Sequence, residues 1–239
     1  AAVRSIQLYQ RENRNWPWRR ELFKQGILFD WASLAWVGML CAFFWLEAAQ
    51  PAFETAGQVD ASAVSHGQWW RLFTAIWLHA DLSHLAGNAA LGLILLGFTM
   101  ARYGTGAGLL AAYLAGAAGN GLAWLLAPQP RFSLGASGMV MGCLGLLGMQ
   151  SFALWRRAPH ARKYILSGVL GGGMLFLLLG VAPGSDLLAH AGGFMGGLLL
   201  GAALTQVPRL PTRTGVNLVS GLLFAALVIW PWWLALRTG

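Results

Sequence analysis

Charge is what this sequence has least of. Only 10% of its 239 residues are Asp, Glu, Lys or Arg, against about 25% in an ordinary soluble domain. That shortage excludes a water-soluble globular chain and places the protein in the membrane class. Cysteine is also scarce. Cys41 and Cys143 both sit inside apolar stretches, which predicts two buried free thiols and no disulfide framework. The 32 glycines follow no strand and spell no phosphate-cradling fingerprint. Cys and His nowhere take metal-ligand spacing, so no metal or organic cofactor is expected. Acidic residues number 8 against 16 basic ones. The basic residues fall in the polar tail and in alternate loops, with no stripe along an exposed helix. Lipid headgroups are therefore the expected counter-charge, and no nucleic-acid partner is expected. The opening residues, rich in arginine, are expected not to act as a cleavable signal peptide.

Long apolar runs are what the sequence has in abundance. A hydrocarbon core needs about 20 apolar residues in helix. Seven stretches qualify, near 31–49, 84–101, 107–127, 137–155, 164–181, 187–206 and 216–236. The predicted fold is all-α, a polytopic membrane helix bundle. Residues 1–30 form a basic tail, 31–206 a six-helix core, and 207–239 a linker and seventh transmembrane helix. Only the connection 50–83 is long, and its Trp69-Trp70 pair favours a structured segment lying at the interface.

The basic residues also orient the bundle. An inside N-terminus places thirteen of them in the tail and in loops 102–106, 156–163 and 207–215, and leaves Arg71, Arg131 and Arg237 outside. That bias makes the tail cytoplasmic. The short loops fit a bacterial inner membrane. Helices two, four and six then run inward from the outer face, and their starts carry His84, Ser137 and His190.

Polar groups at that depth are costly unless they have a task. Ser137, in Gly135-Ala136-Ser137-Gly138, reads either as a helix N-cap or as a nucleophile whose developing oxyanion meets the free amides of a helix start. His190 reads as an interfacial histidine or as the base such a serine needs. Gly193 and Gly197 share its helical face and would let a second helix come close. His84 and Asn88, four apart on one face, are suitable oxyanion donors, although Asn88 could also be interhelical glue. Asp81 and His79 read as loop-structuring groups. Asp186, four residues before His190, is not expected to orient it.

Together, Gly-x-Ser137-Gly, Ala-His190-x-Gly-Gly and His84-x-x-x-Asn88 resemble the rhomboid family of intramembrane serine proteases over roughly residues 66–206. Trp70-Arg71 is similar to that family's loop pair. The resemblance implies a Ser137–His190 dyad without a carboxylate. His84, Asn88 and the Ser137 amide would form the oxyanion hole, with Trp70 and Arg71 steadying the first loop. It further implies that the loop Gly180–Asp186 caps the site and that the fifth helix flanks the substrate's path. Met141 stands where many bacterial members carry a tyrosine, and can keep only the packing contact. The expected partners are transmembrane protein substrates and the lipid bilayer. A non-catalytic membrane-protein binder, a transporter and a peptidase for C-terminal sorting signals are the competing readings. The oligomeric state is left open.

Overall fold

A computed structural model of the chain describes residues 2–12, 28–127, 132–157, 162, 165–166, 169–174, 186–207 and 209–238. Its described elements are helical apart from one short ladder. Helix α1 spans Ala2–Glu12, α2 Ser33–Ala49 and α3 Pro51–Gly57. Strand β1 (Val59–Asp60) leads into the short helices α4 (Ala61–Ser65) and α5 (Arg71–Thr74). Then come α6 (Leu82–Tyr103), α7 (Thr105–Leu126), β2 (Phe132–Ser133) and α8 (Ser137–Arg157). Helices α9 (Leu187–Leu204) and α10 (Thr214–Thr238) follow, with short 3-10 turns at Ala75–Trp77 and Leu210–Thr212.

Helices α6, α7, α9 and α10 are each long and apolar enough to cross a membrane. Helices α2 and α3 pass the same test together, bent by 117° where Pro51 opens α3. Helix α8 is apolar over Ser137–Phe152. The chain is thus an all-α polytopic bundle. The expected fifth span, 164–181, falls largely outside the described residues, which are helical at 165–166 and 169–174.

Helix α8 is the axis of the bundle, with Met139, Val140, Met141, Cys143 and Leu146 buried. It meets α9 backbone to backbone. A β-carbon at Gly193 would strike the Gly138 carbonyl oxygen, and one at Gly197 that of Gly142. Gly119 of α7 abuts the Ala189 carbonyl oxygen in the same way. Lipid supplies no hydrophobic drive between helices, so van der Waals contact at this range must hold them.

Helix α2 buries only Ser33, Trp36, Leu40 and Glu47, a single stripe, with the Trp36 indole seated over Gly92 of α6. The expectation of two buried thiols is half corrected here. Cys143 is buried, but Cys41 lies just off that stripe and is exposed. The wall of α2 facing away from the bundle is apolar too, so apolar surroundings in sequence do not make a residue internal.

The long loop is structured, as its aromatic content predicts. Asp60 caps α4 by accepting from the Ser62 and Ala63 amides at 2.9 and 3.1 Å. Helix α10 braces the loop from outside. Trp232 stacks on Phe53 of α3, ring centroids 4.1 Å apart and planes 11° from parallel, and lies 5.3 Å from Phe43 of α2. Beneath them the Trp77 indole donates to the Tyr113 hydroxyl at 3.1 Å, and that hydroxyl lies 3.1 Å from the Phe73 carbonyl oxygen. The start of α10 is docked by Asn217, whose Oδ1 accepts from the Ala107 amide of α7 at 3.2 Å.

Candidate active site

The first turns of α6, α8 and α9 converge on one cavity of about 880 Å³, a size suited to a ligand or a stretch of peptide. Ser137 enters it from α8, His190 from α9, and His84 and Asn88 from α6. Gly135, Gly138 and Met141 also line it. Trp70, Arg71, Gly193 and Gly197 lie outside the lining.

Each first turn is held by its own device. Asp81 caps α6, accepting from the His84 amide at 2.8 Å and the Ser83 hydroxyl at 2.6 Å. Asp186 caps α9, accepting from the Ala189 amide at 3.0 Å. Such caps satisfy helix-start amides that would otherwise be orphaned. At α8, Gly135 donates its amide to the Ala75 carbonyl at 2.9 Å. Its φ is +128°, a conformation only glycine adopts easily. A β-carbon there would also lie 2.7 Å from His84 Cε1 and 2.8 Å from Nε2. The loop before the serine therefore runs directly against the His84 imidazole.

Asn88 carries the clearest chemical signal. It is 6% exposed, and among the described residues its Nδ2 is buried with no hydrogen-bond partner. A buried unsatisfied donor is costly and rare. It sits 3.7 Å from where a Gly135 β-carbon would be, next to the loop that leads into Ser137. His190 is 4% exposed and Met141 is buried one turn below Ser137.

The first loop is held by Arg71. Its Nη1 donates to the carbonyls of Thr55 and Gln58, both at 2.8 Å, and its Nε to Gln68 Oε1 at 2.6 Å. Val59 of β1 pairs with Ser133 of β2, and Asp60 with Phe132, joining this loop to the one before Ser137. His79 lies buried behind the site, its ring 5.1 Å from that of His84. Burial, reinforced by His84, lowers its pKa from 6.5 to about 4, so it is neutral at pH 7. Its backbone amide donates to the buried Glu47 carboxylate of α2 at 3.1 Å.

Polar lining residues that escape the sequence reading of the site include Gln58, Ser83, Asn120, Ser133 and, in this role, Asp186. Asn120, which donates to the Leu72 carbonyl at 2.8 Å, carried the same signal as Asn88, a polar side chain inside an apolar span. Gln58 and Ser133 carried none, since only the β1–β2 pairing brings their loops together. The proposed cap Gly180–Asp186 lies outside the described residues except for Asp186. Among the described residues no group of three or more His, Cys, Asp or Glu is arranged to hold a metal ion. A hydroxyl, an imidazole and an unpartnered amide around one cavity are the parts that acyl transfer requires.

Residues 66–207 match the family model described as the Rhomboid domain. The chain is 34% identical over 179 residues to a protein named Rhomboid protease GluP from Bacillus subtilis, covering 72% of this chain and 33% of that protein. It is 36% identical over 152 residues to RHOMBOID-like protein 1 of Arabidopsis thaliana, covering 62% and 38%. Against Rhomboid-like protease 3 of Toxoplasma gondii it is 31% identical over 145 residues, covering 60% and 55%. The chain thus spans from a third to about half the length of these curated relatives.

Proposed function

This chain belongs to the rhomboid family, and we propose on that premise that it is an intramembrane serine endopeptidase. In this reading Ser137 attacks the scissile carbonyl, and His190 takes its proton and returns it to the leaving amine. His84, Asn88 and the Ser137 amide stabilise the tetrahedral oxyanion. The substrates are peptide bonds in or beside transmembrane segments of other membrane proteins. The N-terminus is cytoplasmic, and the cavity opens to the outer side, from which water reaches Ser137.

The observation that carries this reading is the unpartnered Asn88 amide in the wall of the cavity that Ser137 and His190 also line. A serine that only capped its helix would give no reason for an unpartnered donor in the same cavity wall.

The test uses purified wild type, Ser137→Ala and His190→Ala with a transmembrane peptide substrate and a fluorophosphonate probe. Wild type is expected to cleave and to be labelled at Ser137. Each variant is expected to fold and lose nearly all turnover, because the two groups act as a unit. Cleavage by Ser137→Ala would sink the mechanism. A wild type that neither cleaves nor takes the label would favour a membrane-protein binder.

A further inference from the structure

A dyad drawn from two helix starts needs more than helices at the right separation. The contacts of Gly193 with Gly138 and of Gly197 with Gly142 seat α9 on α8 along their length. The segments that lead into the two helices must also be held against each other at the mouth of the cavity.

Asp186 is placed to do this. Its Oδ1 accepts from the Ala189 amide at 3.0 Å, and its backbone carbonyl accepts from the His190 amide at 2.9 Å. Its Oδ2 accepts from the Ser133 hydroxyl at 2.8 Å. Asp186 stands four residues before His190, and Ser133 four residues before Ser137. Both line the cavity. Ser133 is itself pinned to the first loop by its pairing with Val59. One carboxylate thus ties the base-bearing helix to the loop that delivers the nucleophile, through a hydrogen bond strengthened by its charge.

We propose that Asp186 is the positioning residue of the dyad, a strut from α9 to β2 that sets where His190 stands relative to Ser137. Its oxygens serve the cap and the loop, and its effect on the chemistry passes through Ser133 and the first turn of α9. This inference rests on the serine-peptidase reading above.

The test compares wild type with Asp186→Ala, Asp186→Asn, Ser133→Ala and the Asp186→Ala/Ser133→Ala double variant. Three quantities are read: the rate of fluorophosphonate labelling at Ser137, kcat and KM on a transmembrane peptide, and the melting temperature in detergent. Misplacing a catalytic group by 1 Å can cost about a hundredfold. Asp186→Ala is therefore expected to lower kcat and labelling by about ten- to a hundredfold with KM near wild type. Asp186→Asn should recover most of this, since asparagine caps as well as aspartate and its amide can donate to the Ser133 hydroxyl. The double variant should be no worse than Asp186→Ala, because both changes break one link. Should Asp186→Ala fail to fold, Ser133→Ala decides, since it cuts the link and keeps the cap.

Wild-type labelling and kcat in Asp186→Ala, or in Ser133→Ala when that variant decides, would overturn the proposal. So would losses that add in the double variant, an asparagine that rescues nothing, or a lowered melting temperature with unchanged kcat in the folded fraction. In each of these cases wild type is still labelled, so the peptidase reading stands. A wild type that takes no label removes that reading and the strut with it.

Discussion

The Gly142 carbonyl oxygen of α8 lies directly against the α-carbon of Gly197 on α9, with no room between them for a methyl group. The contact is between two main chains, neither of which can swing aside as a side chain would. Gly197→Ala is therefore expected to destabilise the protein, and Gly197→Val more so, on the scale of about 1–3 kcal/mol for overpacking. Both should also lower turnover, by up to about a hundredfold if the helix starts part by 1 Å. Melting temperature in detergent and kcat are the measurements. Wild-type values of both in Gly197→Val would refute the contact.

Asn88 offers a donor with nothing to donate to among the described residues. If that donor meets the oxyanion, Asn88→Ala should reduce kcat by about a hundred- to a thousandfold and leave KM almost unchanged. Its melting temperature should not fall, because the variant loses an unsatisfied buried group. Unchanged kcat would take Asn88 out of the oxyanion hole.

Trp232 is 6% exposed and stacked on Phe53. Trp232→Ala should cost about 3–5 kcal/mol, the scale for truncating a buried aromatic. The first loop should loosen with it, seen as faster hydrogen exchange at residues 51–60. Trp232→Phe should recover most of the stability. Wild-type exchange in the loop of Trp232→Ala would show that α10 does not brace it.

His79 gives a pH dependence with a definite sign. Its pKa is about 4 when folded, below its ordinary 6.5. Between those values the unfolded chain binds the proton and the folded chain does not. Its contribution to stability is thus complete above pH 6.5 and is lost as pH falls towards 4, with a slope of at most about 1.4 kcal/mol per unit. The melting temperature in detergent should drop across that window, and the drop should be smaller in His79→Leu. An equal drop in both proteins would assign it to other groups.

The orientation can be read by cysteine labelling from outside intact cells. Cys41 is exposed and must first be replaced, together with Cys143. In that background Thr55→Cys, beside Glu54, should react with an impermeant maleimide, and Arg213→Cys only after permeabilisation. The reverse pattern would invert the topology.

Much of the bundle is legible without coordinates, for a physical reason. A membrane fixes the length of an apolar run, so Ser137 and His190 could be placed at helix starts, and alternation of direction put them at one depth. The facing glycines were legible because lipid leaves small residues as the means of close approach. Cys41 was misplaced for a related reason: a helix wall towards lipid is as apolar as one towards protein, so hydropathy carries no inward signal. The roles of Ser133 and Gln58, and the backbone conformation of Gly135, were hidden because they depend on the course of loops. A positive φ at Gly135 and the pairing of Val59 with Ser133 arise from tertiary contact, and no local pattern announces them.

The stacking of Trp232 on Phe53 also bears on how the protein is made. Helices enter the bilayer in the order in which they are synthesised, and the first loop is synthesised long before α10. Until α10 inserts, Phe53 lacks the ring stacked on it, although Phe43 keeps its stack on Trp77. The wall of the cavity around Gln58, held from within by Arg71, thus gains its Trp232 brace only after α6, α7, α8 and α9 are already in place. A chain interrupted before position 232 would carry Ser137, His190, His84 and Asn88 and the Arg71 and β1–β2 ties of its first loop, but would lack the Trp232 brace. Completion of the site is in this way tied to completion of insertion.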